Sequence, residues 1–127
     1  MGTGLAFAHI DRNGNLNTRI LSEGGNVIID MNPDAYRHTW TEVPGVLQQY
    51  LPQWGVVNQA KDIPEVQKAS PQDKAKVVGE LLIQNNPCAQ EIFENIGRYL
   101  ATAIVEYYRY FGMQNVVIFG GVTTDLS

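Results

Sequence analysis

One helix, punctuated at both ends, constrains this chain most. Asn86-Pro87 supplies a capping side chain and then a proline at the first helical position, where the missing N–H costs nothing. Ile92, Phe93, Ile96, Leu100, Ala103, Ile104 and Tyr107 then recur at helical spacing, and Gly112 sits where a left-handed C-terminal cap belongs. Val116-Val117-Ile118-Phe119 follows, four apolar residues in a row. They read as a strand buried on both faces, which favours a parallel neighbour. Gly120-Gly121 ends it. Helix, buried strand, diglycine is an α/β order.

The first 31 residues predict a three-stranded antiparallel meander. Residues 4–11 alternate Leu5, Phe7 and His9 on one side with Ala6, Ala8 and Ile10 on the other. Asn13-Gly14 signals a type I′ turn, and 16–21 is the returning strand. Ser22-Glu23-Gly24-Gly25 breaks it. Val27-Ile28-Ile29 is the third strand, ended by Asn32-Pro33-Asp34. Pro44 starts a short helix to Leu51, with Val46, Leu47 and Tyr50 on one side, and Pro52 ends it. Residues 53–69 read as loop, with Trp54 and Val56-Val57 tucked in. Ser70-Pro71-Gln72-Asp73 opens a helix to about Ile83 that buries Ala75, Val78, Leu81 and Leu82. The chain stops just after the diglycine, where an α/β fold continues into a helix, so 1–127 is expected to be one domain cut from a longer protein.

Composition narrows the function classes. In 127 residues, 44% are hydrophobic and 17% charged, so a packed core is expected. Thirteen acids against nine bases give a net charge of -4, which argues against nucleic-acid binding because no excess of Lys and Arg displaces counterions. The lone Cys88 excludes an internal disulfide and a multi-thiolate zinc site, and fits a reducing cytoplasm. No apolar run approaches the ~20 residues that span a bilayer, and MGTGLAFAHID carries no secretory pattern. A cytoplasmic protein without a membrane partner is therefore expected.

Three glycine-bearing sites carry possible chemistry. Gly2-Thr3-Gly4 lets backbone N–H groups and a hydroxyl turn toward an anion, the alternative being an ordinary flexible terminus. Gly120-Gly121 lets a ligand approach the end of a strand, the alternative being a tight strand-to-helix turn. Glu23-Gly24-Gly25-Asn26 offers a carboxylate and an amide to vicinal hydroxyls, the alternative being a solvated turn. His9 reads as a structural histidine and His38 with Trp40 as a surface pair. Tyr107, Tyr108 and Tyr110 read as core and subunit contacts rather than a base-stacking platform, and Glu80, Glu91, Glu94 and Glu106 as solvated charges.

The order of these pieces resembles the C-terminal domain of sugar kinases of the ROK (repressor, open reading frame, kinase) family. That family belongs to the actin-like, hexokinase-like ATPases with a ribonuclease H-like core. Gly2-Thr3-Gly4 with Asn13-Gly14 is similar to its second phosphate motif. Ser22-Glu23-Gly24-Gly25-Asn26 with Val27 to Asp30 is similar to its sugar motif. Gly45-Val46-Leu47-Gln48-Gln49-Tyr50 echoes its next helix, and Gly120-Gly121-Val122 its adenosine turn. The resemblance implies ATP with Mg²⁺ carried by the nucleotide, and phosphoryl transfer to a hexose hydroxyl. Gly2, Thr3 and Gly4 would then face the β- and γ-phosphates, Gly120 and Gly121 the adenosine or α-phosphate, and Glu23 and Asn26 the sugar.

Asn26 stands where the family has a zinc-binding His, and its cysteine cluster is absent, so no zinc is expected. The catalytic Asp and first phosphate loop of these kinases belong to an N-terminal domain, so the 127 residues are expected to be inactive alone. A homodimer is the implied assembly. Two other readings fit the same residues: the sugar-sensing domain of a ROK-type transcriptional regulator, and a dimerisation module.

Overall fold

Capping signals and apolar spacing agree in the second half of the chain, and there the fold follows them. The computed structural model describes residues 2, 4–19 and 23–124. Helices α1 (Gln53–Gln59), α2 (Pro64–Lys68), α3 (Lys74–Ile83), α4 (Pro87–Phe111) and α5 (Gly121–Thr124) follow in order. Single 3-10 turns at Gly24–Asn26 and Leu47–Gln49 precede them. The Asn86 side-chain oxygen accepts from the backbone N–H of Cys88 at 3.0 Å and of Ala89 at 3.2 Å. Pro87 occupies the first turn, and Gly112, at φ 59°, closes the helix by donating to the Tyr108 carbonyl. Ala89, Ile92, Ile96 and Ala103 are buried, with Phe93, Leu100 and Tyr107 packed beside them.

Helix α3 begins later than Ser70. The Ser70 hydroxyl donates to Asp73 Oδ2 at 2.6 Å instead of capping a backbone amide, and a turn separates it from Lys74. Val78 and Leu81 are buried as expected, Ala75 and Leu82 partly so. The stretch expected as loop folds into α1 and α2, the latter with Pro64 in its first turn. These two helices pack on α3, and α1 also meets α4 and the Leu47–Gln49 turn. Leu47, Leu51, Val56, Ala60, Val66 and Val78 form the centre of the resulting core. In place of a helix from Pro44 to Leu51, residues 46–52 run as one 3-10 turn flanked by bends, yet Val46, Leu47 and Tyr50 are all buried.

The α/β, ribonuclease H-like architecture is not what this chain adopts. Among the described residues the extended segments make three isolated bridges, Ile10↔Leu16, Ile28↔Val46 and Arg37↔Pro44, and no ladder. The first hairpin does turn at Asn13-Gly14, but only Gly14 has positive φ, at 83°. Its connection is a three-residue one, with the Asp11 carbonyl accepting from Gly14 and the Asp11 carboxylate accepting from the Asn13 and Asn15 amides. Residues 20–22 of the returning strand lie outside the described residues.

The third segment is captured elsewhere. Ile29 donates to the Gly45 carbonyl, and the Val27 carbonyl accepts from Leu47. Its one bridge among the described residues, Ile28↔Val46, is to this segment and not to the described part of the returning strand, so the expected meander is not formed there. The expected parallel strand at Val116 to Phe119 has no regular secondary structure and is exposed, with Val117 at 82% and Phe119 at 76%. A strand buried on both faces belongs inside a sheet covered on both sides, and the described residues form no sheet for it to join.

Gly45 is the crossing point. Its carbonyl serves Ile29, its N–H donates to the Tyr36 carbonyl, and its φ is 77°. A Cβ there would stand 1.7 Å from the Asp30 carbonyl oxygen. Gly45→Ala is expected to cost roughly 3–5 kcal/mol of unfolding free energy, measured by urea denaturation. A loss below about 1 kcal/mol would contradict the crossing.

Candidate ligand site

The buried turn and bend at 46–52 leave Gln48 half-buried and Gln53 exposed, and each of the three glycine-bearing sites touches one of these residues or lines a cavity with it. The Gln53 N–H donates to the Gly2 carbonyl at 2.9 Å. Gln48 Oε1 accepts from the Leu5 N–H at 3.2 Å, and Gln48 Nε2 lies against Gly4. Gly25 is buried where a Cβ would come within 2.6 Å of Gln48 Oε1 and 3.2 Å of the Leu5 carbonyl. Gln53 shares a cavity with Gly121. Residues 119 positions apart in the chain are thus both tied to Gln53, Gly2 through the Gln53 backbone N–H and Gly121 as a fellow lining residue of the cavity.

That cavity measures about 290 Å³. Val56, Ala75, Ile83, Phe93 and Val122 give it an apolar wall, and Gln53, Gln72, Lys76 and Glu80 a polar rim. Lys76 and Glu80 form an exposed pair at 3.9 Å, one turn apart on α3. A second cavity of about 330 Å³ is lined by Gly4, His38, Trp40, Gln48, Gln49 and Trp54 among others.

The expected site residues are placed as follows. Thr3 lies outside the described residues. The Gly2 N–H donates to the Gly4 carbonyl at 3.2 Å, so that amide is turned onto its own loop. Gly121 lines the first cavity, and the Gly120 carbonyl accepts from the Thr123 N–H and hydroxyl. Glu23 and Asn26 are exposed, with Asn26 Nδ2 donating to Glu23 Oε2 at 3.3 Å, and they line neither cavity. Among the described residues no group of three or more His, Cys, Asp or Glu is placed to hold a metal ion. No helix there is long and apolar enough to cross a membrane. His9 is satisfied structurally, by Asn17 Nδ2 at 3.3 Å and by stacking on Phe111.

A tyrosine cluster supports the site from beneath. The Tyr50 hydroxyl donates to Asp30 Oδ2 at 2.6 Å and accepts from the Tyr36 N–H at 3.0 Å, with the Tyr36 and Tyr99 rings against its own. The Tyr50 bond, with the Asn32 amide, holds the Asp30 carboxyl below its ordinary range. Burial, then the Asp30 carboxylate, pushes the Tyr50 hydroxyl up. Burial pushes Tyr107 up to about 12, and its hydroxyl donates to the Gly24 carbonyl, tying the Gly24–Asn26 turn to α4.

Sequence reasoning missed the second cavity. Its signal was present: Trp40 stands between two threonines and Trp54 beside a glutamine, positions with no apolar stripe to join. It also missed Gln48 and Gln53, whose importance lies in where the backbone carries them. No family model matches the chain, and neither a curated protein nor a solved structure does.

Tyr50→Phe is expected to cost about 1–2 kcal/mol at neutral pH, the lower part of the range for a bond to a charged group because Asp30 is only half-buried. A carboxyl lowered by folding adds stability above its unfolded value near 3.9, lost as pH falls through the folded value. The Tyr50→Phe deficit should therefore shrink between about pH 4 and pH 2, followed by thermal melts. A deficit constant across that range would contradict the Tyr50–Asp30 bond.

Proposed function

We propose that the chain binds a nucleotide and a sugar for ATP-dependent phosphoryl transfer to a sugar hydroxyl. The reading takes nothing from the fold. It rests on one observation: the three glycine-bearing sites, in the order that resembles the sugar kinases, each lie against Gln48 or Gln53 or share a cavity with it. The cavity beside Gly121 suits a nucleoside, with Phe93 and Val56 for a planar base, the Gln53 and Gln72 amides for its edge, and Lys76 toward a phosphate. Bound ATP with Mg²⁺ would supply the transferred phosphoryl group. The chain's own share is to bind and orient, which makes Glu23 and Asn26 the sugar-facing pair across the Gly25–Gln48 contact.

The 127 residues alone are expected to bind ATP and to transfer no phosphate, because no residue here is assigned the sugar hydroxyl proton. Ile83 lines the nucleotide cavity from an exposed position, so Ile83→Asp sets a carboxylate against the phosphates without opening the core. Calorimetry should show ATP affinity falling about tenfold in that variant. Absence of ATP binding, or equal affinity in Ile83→Asp, would contradict the proposal, as would labelled phosphate appearing on a hexose with the isolated chain.

A second reading has its own support. Val105 and Tyr108, on one face of α4, are exposed. This favours a contact between two copies, and light scattering would register the homodimer.

A further inference from the structure

Both tryptophans of the chain line one cavity. Trp40, in the 38–43 connection, is 90% exposed, and Trp54, on α1, 44% exposed. Neither belongs to the core cluster, and leaving the Trp40 indole almost wholly in water forfeits a large favourable burial term. The polar groups around them are held in place. Gln49 is only 4% exposed, its carbonyl side-chain oxygen accepting from Asn58 Nδ2 at 3.4 Å and its Nε2 donating to Thr39 Oγ1 at 3.5 Å. Gln48 spends Oε1 on the Leu5 N–H, and its Nε2 has no hydrogen bond to a described residue. His38 Nδ1 accepts from the Thr41 N–H at 3.3 Å, so the neutral ring carries its proton on Nε2 as a donor.

The lining therefore offers aromatic faces and neutral donors. Among the described residues no Asp, Glu, Lys or Arg lines this cavity, so its described lining offers a charged ligand no counter-ion. Its volume of about 330 Å³ sits at the small end of ligand pockets. A neutral pyranose answers each point: an apolar C–H face for an indole, hydroxyl oxygens for the Gln48 and His38 donors, and a compact size. We propose that this cavity is a carbohydrate site, stacking a neutral monosaccharide on Trp40 beside Trp54. It goes beyond the function proposed above, for it excludes Glu23 and Asn26 and would hold in a chain with no part in phosphoryl transfer.

The test is a titration of the whole chain with glucose, galactose, mannose and N-acetylglucosamine, read by tryptophan fluorescence excited selectively over the six tyrosines, since both tryptophans line the cavity. A saturable shift with at least one sugar is expected. Trp40→Ala should weaken it about tenfold, with Trp54 as the remaining reporter, and Trp40→Phe should restore most of the affinity. Circular dichroism should stay unchanged, because Trp40 is exposed, and Gln48→Glu, which replaces the free donor with an acceptor, gives a second weakened variant. No saturable response to any of the sugars overturns the proposal. So does equal binding by wild type and Trp40→Ala, including the case where Glu23→Gln abolishes it, which would move the sugar to the Glu23–Asn26 turn. ATP binding is measured in parallel. Its absence overturns the phosphoryl-transfer reading, while a Trp40-dependent sugar response still upholds this one.

Discussion

Residues 45–55 pass so close to their neighbours that only glycine fits at both ends. At Gly45 the backbone crosses Asp30, and at Gly55 a Cβ would stand 2.0 Å from the Tyr50 carbonyl oxygen. Between them Leu47, Tyr50 and Leu51 are buried to the limit. This segment seats α1 against α3 and α4, and it holds the N-terminal third by pairing with residues 27–30 and 36. Gln48 and Gln53 are carried outward by the same turn and bend. The candidate site thus depends on a backbone packing constraint more than on any one ion pair, and the three salt bridges among the described residues are all exposed and local to a helix.

Legibility in the sequence followed the range of the interactions. Helix α4 could be read in full because its cap, its proline, its apolar spacing and its Gly112 terminator are all local signals. Helix α3 was legible in its buried face and misplaced at its start, since Ser70 finds a side-chain partner that competes with capping. Helices α1 and α2 were missed. Seven and five residues are too short for periodicity to register, although Pro64 marked the second.

The strands failed for a different reason. A strand needs an edge to pair with, and no local signal specifies which edge. Val27 to Ile29 has the right residues for a meander, yet Gly45 to Leu47 takes its hydrogen bonds. Val116 to Phe119 reads as deeply buried from composition alone, yet it lies exposed because no neighbouring strand exists among the described residues. The glycines of the candidate site were legible as glycines. The expectation that the two ends of the chain face one polyphosphate is not met by a shared cavity, since Gly121 lines one and Gly4 the other, and the part that Gln48 and Gln53 play beside them comes only from the fold around Tyr50.

The central claim is that chain-distant glycine turns are tied, through Gln48 and Gln53, to two neighbouring ligand cavities, Gly4 with Gln48 at one and Gly121 with Gln53 at the other. Amide resonances of a chain labelled at glycine and glutamine test it most directly, recorded as ATP and then a hexose are added. The account predicts saturable shifts at Gly4, Gln48, Gln53 and Gly121, with Gly97 and Gly112 on α4 and its cap left unmoved. Shifts confined to one end of the chain, or spread evenly over all glycines, would contradict it.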